Sequence, residues 1–251
     1  MRVHVMRALH RFLVLFLALP VSGVPADARI RVAVAASAVT TIERLAGEYR
    51  RLTGVEVEIV TGSSGMLTGQ ILQGAPFDLF FSADTVYPRE IEQSYRTRSR
   101  MCVYAIGALV LACRARPDSS EPLKTLLRPE VRKVVIANPE LAPYGKAAID
   151  ALARAGVLGD VLPKLVYAES VTHVNHFLSA GAAEAAITAL SSVPGLAGLH
   201  VTDLDSPGIP QGAILLDRRP GDTDTRGDGF LSFVLSAEGR KIIAESGYSL
   251  P

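Results

Sequence analysis

Short apolar runs alternate with amphipathic stretches along most of the chain, and the period of each run predicts its form. IRVAVAA (30–36) is apolar enough for a strand buried on both faces, whereas VEVEIV (55–60) alternates like a strand with one wet face. Between them, Ile42, Leu45, Ala46, Tyr49 and Leu52 recur at helical spacing, and Gly54 stops the helix. Met66, Leu67, Ile71 and Leu72 predict a short helix ended by Gly74-Ala75-Pro76, DLFFSA (78–83) a third strand, and residues 85–94 another helix. This β-α-β-α-β order sets parallel strands side by side with helices on both faces.

The apolar run 103–112 is too long for an ordinary strand and is interrupted by Gly107. It predicts a strand that leaves one lobe and enters another. After a polar loop (114–121) and a short helix, the alternation resumes. KVVIA (133–137), a helix near 145–155, LVYA (165–168), a helix near 171–180 and AAIT (185–188) follow in turn. A last strand, AILLD (213–217), precedes a C-terminal helix carrying Phe230, Phe233, Val234, Ile242 and Ile243. The expected fold class is α/β, with two Rossmann-like lobes joined by crossover strands and a ligand cleft between them. The first lobe takes residues 27–105 plus about 202–251 and the second about 106–201.

The N-terminus adds a compartment. Arg2, Arg7 and Arg11 precede a short apolar run (12–19), then Pro20, Ser22, Gly23 and the small residues around Ala26. That order predicts a secretory signal peptide over 1–26, cut after Ala26 or Ala28, and a periplasmic product. The run is about half of the ~20 residues a membrane span needs. No cysteine follows it, so no bacterial lipid anchor is expected. Removing 1–26 takes away three Arg and no acid, so 26 basic against 25 acidic residues becomes 23 against 25, a net charge near −2. Such a balance gives no footprint for nucleic acid. Cys102 and Cys113 flank a strand-like stretch. Fully extended, it would hold them roughly 36 Å apart at about 3.3 Å per residue, so buried free thiols are expected rather than a disulfide.

The chemistry sits in four small or polar turns between a strand and a helix: Ala36-Ser37-Ala38, Gly62-Ser63-Ser64-Gly65, Pro143-Tyr144-Gly145 and Ser170-Val171-Thr172. Each sets unpaired N–H groups at a helix N-terminus beyond the carboxyl ends of strands, where open α/β sheets bind ligands. A lone Ser37 or Ser170 has a plain explanation as a helix cap worth about 1 kcal/mol. Glycine on each side of Ser63-Ser64 would let backbone approach a ligand closely. Two turns come from each expected lobe. None contains His, Cys, Asp, Glu, Lys or Arg, so neither a metal ion nor an amine finds an acceptor. Neutral donors and positive helix ends suit a fully ionised anion, and a protonated one would leave its O–H unpaired. Molybdate, tungstate and sulfate meet that description, with no cofactor and no direct protein ligand to a metal.

Catalysis is the competing reading. Gly62-Ser63-Ser64-Gly65-Met66 approaches a nucleophile elbow, which would make Ser64 the nucleophile of a secreted hydrolase, but G-x-S-x-G needs Gly where Met66 stands. His4 and His10 leave with the signal peptide, and His173, His176 and His200 read as surface or packing residues.

The chain resembles the periplasmic molybdate-binding proteins of ABC uptake systems. The resemblance lies in VAVAASAVTTIERLAGEY, TGSSGMLTGQILQGAPFDLFFSAD, ANPELAPYGKAAIDAL, LVYAESVTHVNHFLSAGAAEAAITALS and FLSFVLSAEGRKIIAESGY. It implies a hinged two-lobed trap, a monomer, that delivers its anion to an ABC permease and its ATPase. By resemblance, Ser37 and Ser64 bind the anion through hydroxyl and N–H, and Tyr144 and Val171 through N–H. Some members add a tyrosine hydroxyl at the position that is Ala189 here, so that donor is absent.

Overall fold

The computed structural model describes residues 29–94, 97–118, 120–196, 198–217 and 224–251. The expected signal peptide lies outside them. Among the described residues ten strands form two five-stranded sheets. The first contains β1 (Ile30–Ala35), β2 (Val57–Gly62), β3 (Leu79–Phe81), β4 (Cys102–Gly107) and β10 (Ile209–Leu215), in the order β2-β1-β3-β10-β4. The second contains β5 (Leu109–Cys113), β6 (Val134–Ala137), β7 (Leu165–Ala168), β8 (Ala185–Ala189) and β9 (His200–Asp203), in the order β7-β6-β8-β5-β9.

The two orders follow one plan. In each sheet the first three strands of the order run parallel and each feeds a helix or helical turn, and the fourth runs antiparallel because it arrives from the other sheet. The long apolar run is thus two strands: β4 ends at Gly107 in the first sheet and β5 begins at Leu109 in the second. The return passes from β9 to β10 through 204–208. The two crossings lie against each other, with Leu204 N–H donating to Leu109 O (3.2 Å) and Ile209 in register with Gly107. A side chain at Gly208 would meet Ile106 Cγ2 at 2.4 Å, so this contact requires glycine.

Helices cover both faces. α1 (Val39–Thr53) buries Ile42, Leu45, Ala46 and Tyr49, and ends at Gly54, whose φ of 75° only glycine adopts freely. Leu52, at the same spacing, stays half exposed. α2 (Ser64–Leu72) and α3 (Val86–Ser94) complete the first βα units, and α4 (Pro143–Arg154), α5 (Leu158–Val161) and α6 (Val171–Ser179) those of the second sheet. Each fully buried Ile or Leu of these faces contributes about 1.5–3 kcal/mol. The expected single C-terminal helix is two, α7 (Arg226–Leu235) and α8 (Ala237–Glu245), which break at Ser236. Ser236 caps α8 by accepting from Gly239 N–H (3.2 Å). A Cβ at Gly239 would lie 2.3 Å from Phe233 O, so the tight corner also depends on a glycine.

The last strand of the first sheet begins at Ile209 rather than near 213. Pro210-Gln211-Gly212 has the composition of a turn, but a register shift between Gln211 and Gly212 keeps the segment paired to β4. Cys102 and Cys113 are free thiols on different sheets. Cys113 is fully buried, which pushes its thiol up to about 11, and Cys102 is half-buried.

Candidate functional site: an oxyanion cavity between the lobes

Four strand-to-helix turns meet at one place. β1 and β2 are neighbours in the first sheet, β6 and β7 in the second, and the carboxyl end of each feeds a helix. The structure brings Ser37, Ser64, Tyr144 and Val171 to the wall of one small cavity. All four are at least 96 % buried, and among the described residues no carboxylate, lysine, arginine or histidine lines the cavity.

Ser37 lies in a 3-10 turn (Ala36–Ala38) between β1 and α1. Its hydroxyl is buried with no protein partner, whereas its carbonyl accepts two hydroxyls, from Ser191 (2.9 Å) and Tyr248 (3.0 Å). The carbonyl is therefore occupied, and the hydroxyl is left able to donate. Ser64 starts α2. Its Oγ accepts from Ala83 N–H (3.0 Å), which leaves the hydroxyl proton to point elsewhere. Ala83 O is in turn held by the side-chain amide of buried Gln211 (3.1 Å). The Ser37 and Ala83 carbonyls are thus both occupied by the protein's own hydrogen bonds.

Tyr144 follows Pro143 in the first turn of α4, where a backbone N–H has no helical carbonyl to bond. The turn is pressed onto the end of β6: a Cβ at Gly145 would lie 2.1 Å from Ala137 O, so glycine alone permits the approach. Val171 opens α6, and Ser170 before it caps that helix by accepting from His173 N–H (3.4 Å). For Ser170 the plain capping role holds.

Sequence reasoning missed several contributors. Ser63 stands in the extended N-cap position of α2 but makes no capping bond, and its hydroxyl is buried at the cavity with no protein partner. Adjacent serines in one turn give no sign of which faces inward. Tyr104, Tyr144 and Tyr248 form a buried group behind the cavity. Burial pushes all three phenols up, Tyr248 to about 12, so they are neutral donors, not anions. Ala189 is buried at the end of β8 and is not among the cavity-lining residues. Ser191, two residues on, sends its hydroxyl to Ser37 O instead.

Gly65 also differs from its expected role. Its N–H donates across the cleft to Leu141 O (2.9 Å), so it serves the approach of one lobe to the other. A hydrolase at Ser64 lacks its base, because the partner of the hydroxyl is a backbone N–H. His173 and His176 lie on α6 with ring centroids 6.1 Å apart, beside Glu169 at 3.5 Å from His173. Among the described residues no group of three or more His, Cys, Asp or Glu could hold a metal ion.

Two α/β lobes joined by paired crossings and meeting at a small uncharged cavity of serine hydroxyls and helix starts define a solute-binding protein. The chain belongs to the bacterial extracellular solute-binding protein family, which it matches over residues 30–249. It is 34 % identical to the molybdate-binding protein ModA of Rhodobacter capsulatus, over 94 % of this chain and 92 % of that one. Against the ModA of Azotobacter vinelandii it is 32 % identical, over 89 % and 90 %. Among solved structures it is similar to the periplasmic molybdate-binding protein of Azotobacter vinelandii, with a TM-score of 0.79 at 29 % identity over 89 % of this chain and all of the other. These relatives are binding proteins, not enzymes.

Proposed function

We propose that the protein is the periplasmic receptor of an ABC importer, which captures molybdate, and tungstate with it, and hands the anion to a membrane permease driven by its ATPase. The observation that carries this reading is a cavity walled by buried serine hydroxyls and helix starts, with the Ser37 and Ala83 carbonyls occupied and no charged side chain. A tetrahedral dianion presents acceptors only, which match the backbone N–H groups and serine hydroxyls of this wall; a protonated anion would gain less here, having only serine hydroxyl oxygens to receive its O–H. Ser37 and Ser64 would donate through hydroxyl and N–H, Tyr144 and Val171 through N–H, and Ser63 through its hydroxyl. The helix starts would add roughly 0.3–1 kcal/mol each, up to about 2 where buried.

The relatives favour molybdate over sulfate within this class. Isothermal titration of the chain lacking residues 1–26 with molybdate, tungstate and sulfate tests the proposal. A tight isotherm with the first two and none with sulfate is expected. Heat with sulfate alone would overturn the choice of anion, and heat with none would overturn the receptor reading.

A further inference from the structure

The two lobes are joined at the solvent-facing rim of the cleft by hydrogen bonds that owe nothing to a ligand. Gly65 N–H, in the first turn of α2, donates to Leu141 O (2.9 Å), and the Tyr87 hydroxyl, on α3, donates to Glu140 O (3.2 Å). The two acceptors are consecutive carbonyls of one turn in the second lobe. That turn is rigid in its own right: Asn138 O accepts from Leu141 N–H (3.1 Å) and Ala142 N–H (2.8 Å), and Asn138 Oδ1 from Glu140 N–H (3.0 Å). It leads directly into α4 and so also sets the Tyr144 N–H at the cavity. On the other lobe, Asp84 Oδ1 fixes the start of α3 by accepting from Tyr87 N–H (3.2 Å).

The two bonds converge on one spot. A Cβ at Gly65 would lie 2.7 Å from the Tyr87 hydroxyl and 3.1 Å from Leu141 O. Glycine is therefore what lets this rim close. A third bond between lobes, Ser191 hydroxyl to Ser37 O, sits beside the crossings, since neighbouring Leu190 N–H donates to Ala108 O (3.0 Å). A hinge turning about the crossings moves that rear contact least and parts the rim bonds first.

We infer that Gly65 and Tyr87 are ligand-retention residues: together with the Glu140-Leu141 carbonyls they form a catch that holds the closed lobes and slows release of the anion. The inference builds on the receptor reading, and the catch makes no contact with the anion. It therefore acts on dissociation and leaves encounter with the open cleft alone.

Stopped-flow association and dissociation rates are measured for wild type, Tyr87→Phe and Gly65→Ala, with molybdate and with sulfate in parallel. Tyr87→Phe, which removes one hydroxyl, is expected to speed dissociation by about 2- to 10-fold at an unchanged association rate. Gly65→Ala, which also inserts a clash, is expected to speed it by more than Tyr87→Phe. Thermal unfolding of both variants without anion confirms that each is folded before its rates are compared. Wild-type dissociation rates in both variants, or a change confined to association, would overturn the catch. If neither anion binds wild type, the receptor reading fails separately. Small-angle scattering of the unliganded forms then decides: a larger radius of gyration for Gly65→Ala than for wild type supports the catch, and equal radii overturn it.

Discussion

Ser37, Ser63, Ser64 and Ser170 show how one residue type takes different roles in similar turns. Ser170 caps α6; Ser64 accepts a backbone N–H and keeps its proton; Ser37 and Ser63 have buried hydroxyls with no protein partner. Replacing Ser37 or Ser64 by alanine is expected to weaken anion binding by about 1–3 kcal/mol each, from loss of a donor to a buried charge. Ser63→Ala is expected to weaken it as well, by about 0.5–1.5 kcal/mol for a single hydrogen bond. Ser170→Ala should instead lower stability by about 1 kcal/mol. Calorimetric titration together with thermal unfolding separates the two outcomes. A Ser63→Ala protein that binds like wild type would remove Ser63 from the donor set. The four turns were legible in the sequence because each is a local strand-to-helix junction. Their supports were not: the Ser191 and Tyr248 hydroxyls reach Ser37 O across separations of 154 and 211 residues. No pattern along the chain connects residues that far apart.

At the scale of elements, hydrophobic period located the strands and helices, and glycine contacts decided how closely they pack. Strands with both faces covered, such as β5 and β6, were readable as continuous apolar runs, since every residue in them is buried. β9 was missed because it is a short edge strand with two exposed ends and two half-buried residues, which leaves no alternation to read. The break at Ser236 was missed because the apolar residues on either side keep helical spacing through it. Two glycines on helices make opposite predictions. A Cβ at Gly145 would meet backbone, Ala137 O at 2.1 Å and Pro139 N at 2.9 Å, so Gly145→Ala must displace the start of α4. It is expected to lower stability by about 1–3 kcal/mol, as overpacking does, and to weaken anion binding through the shifted Tyr144 N–H. Gly69, on α2, has nothing within 4 Å of a built Cβ, and Gly69→Ala is expected to raise stability by up to about 1 kcal/mol. Chemical denaturation of both variants checks the pair, and a stable Gly145→Ala would show that the turn can yield.

For the whole molecule, a site without charged side chains makes anion capture insensitive to the conditions that govern charged sites. Among the described residues no carboxylate, lysine, arginine or histidine lines the cavity, and the tyrosines at and near it stay protonated because burial holds their phenols above the ordinary value near 10. The Tyr248 hydroxyl, which supports the Ser37 carbonyl, is raised to about 12. The sign follows from its being raised: its stabilisation is present in full below about 10, where the phenol is protonated in both states, and is lost as pH climbs toward 12. Affinity should therefore be flat between about pH 6 and 9, and loss of the fold should begin only in strong alkali. Ionic strength should also matter little, because the contacts are short and buried, while the exposed charges are screened beyond about 10 Å at 0.1 M salt. A site that held its anion with lysine or arginine at the surface would lose affinity steadily with salt. Titrations at pH 6, 7.5 and 9, each at low and moderate sodium chloride, distinguish the two. A tenfold fall in affinity across either series would mean that a titrating or surface charge carries the binding, and the account of a site without charged side chains would have to be abandoned.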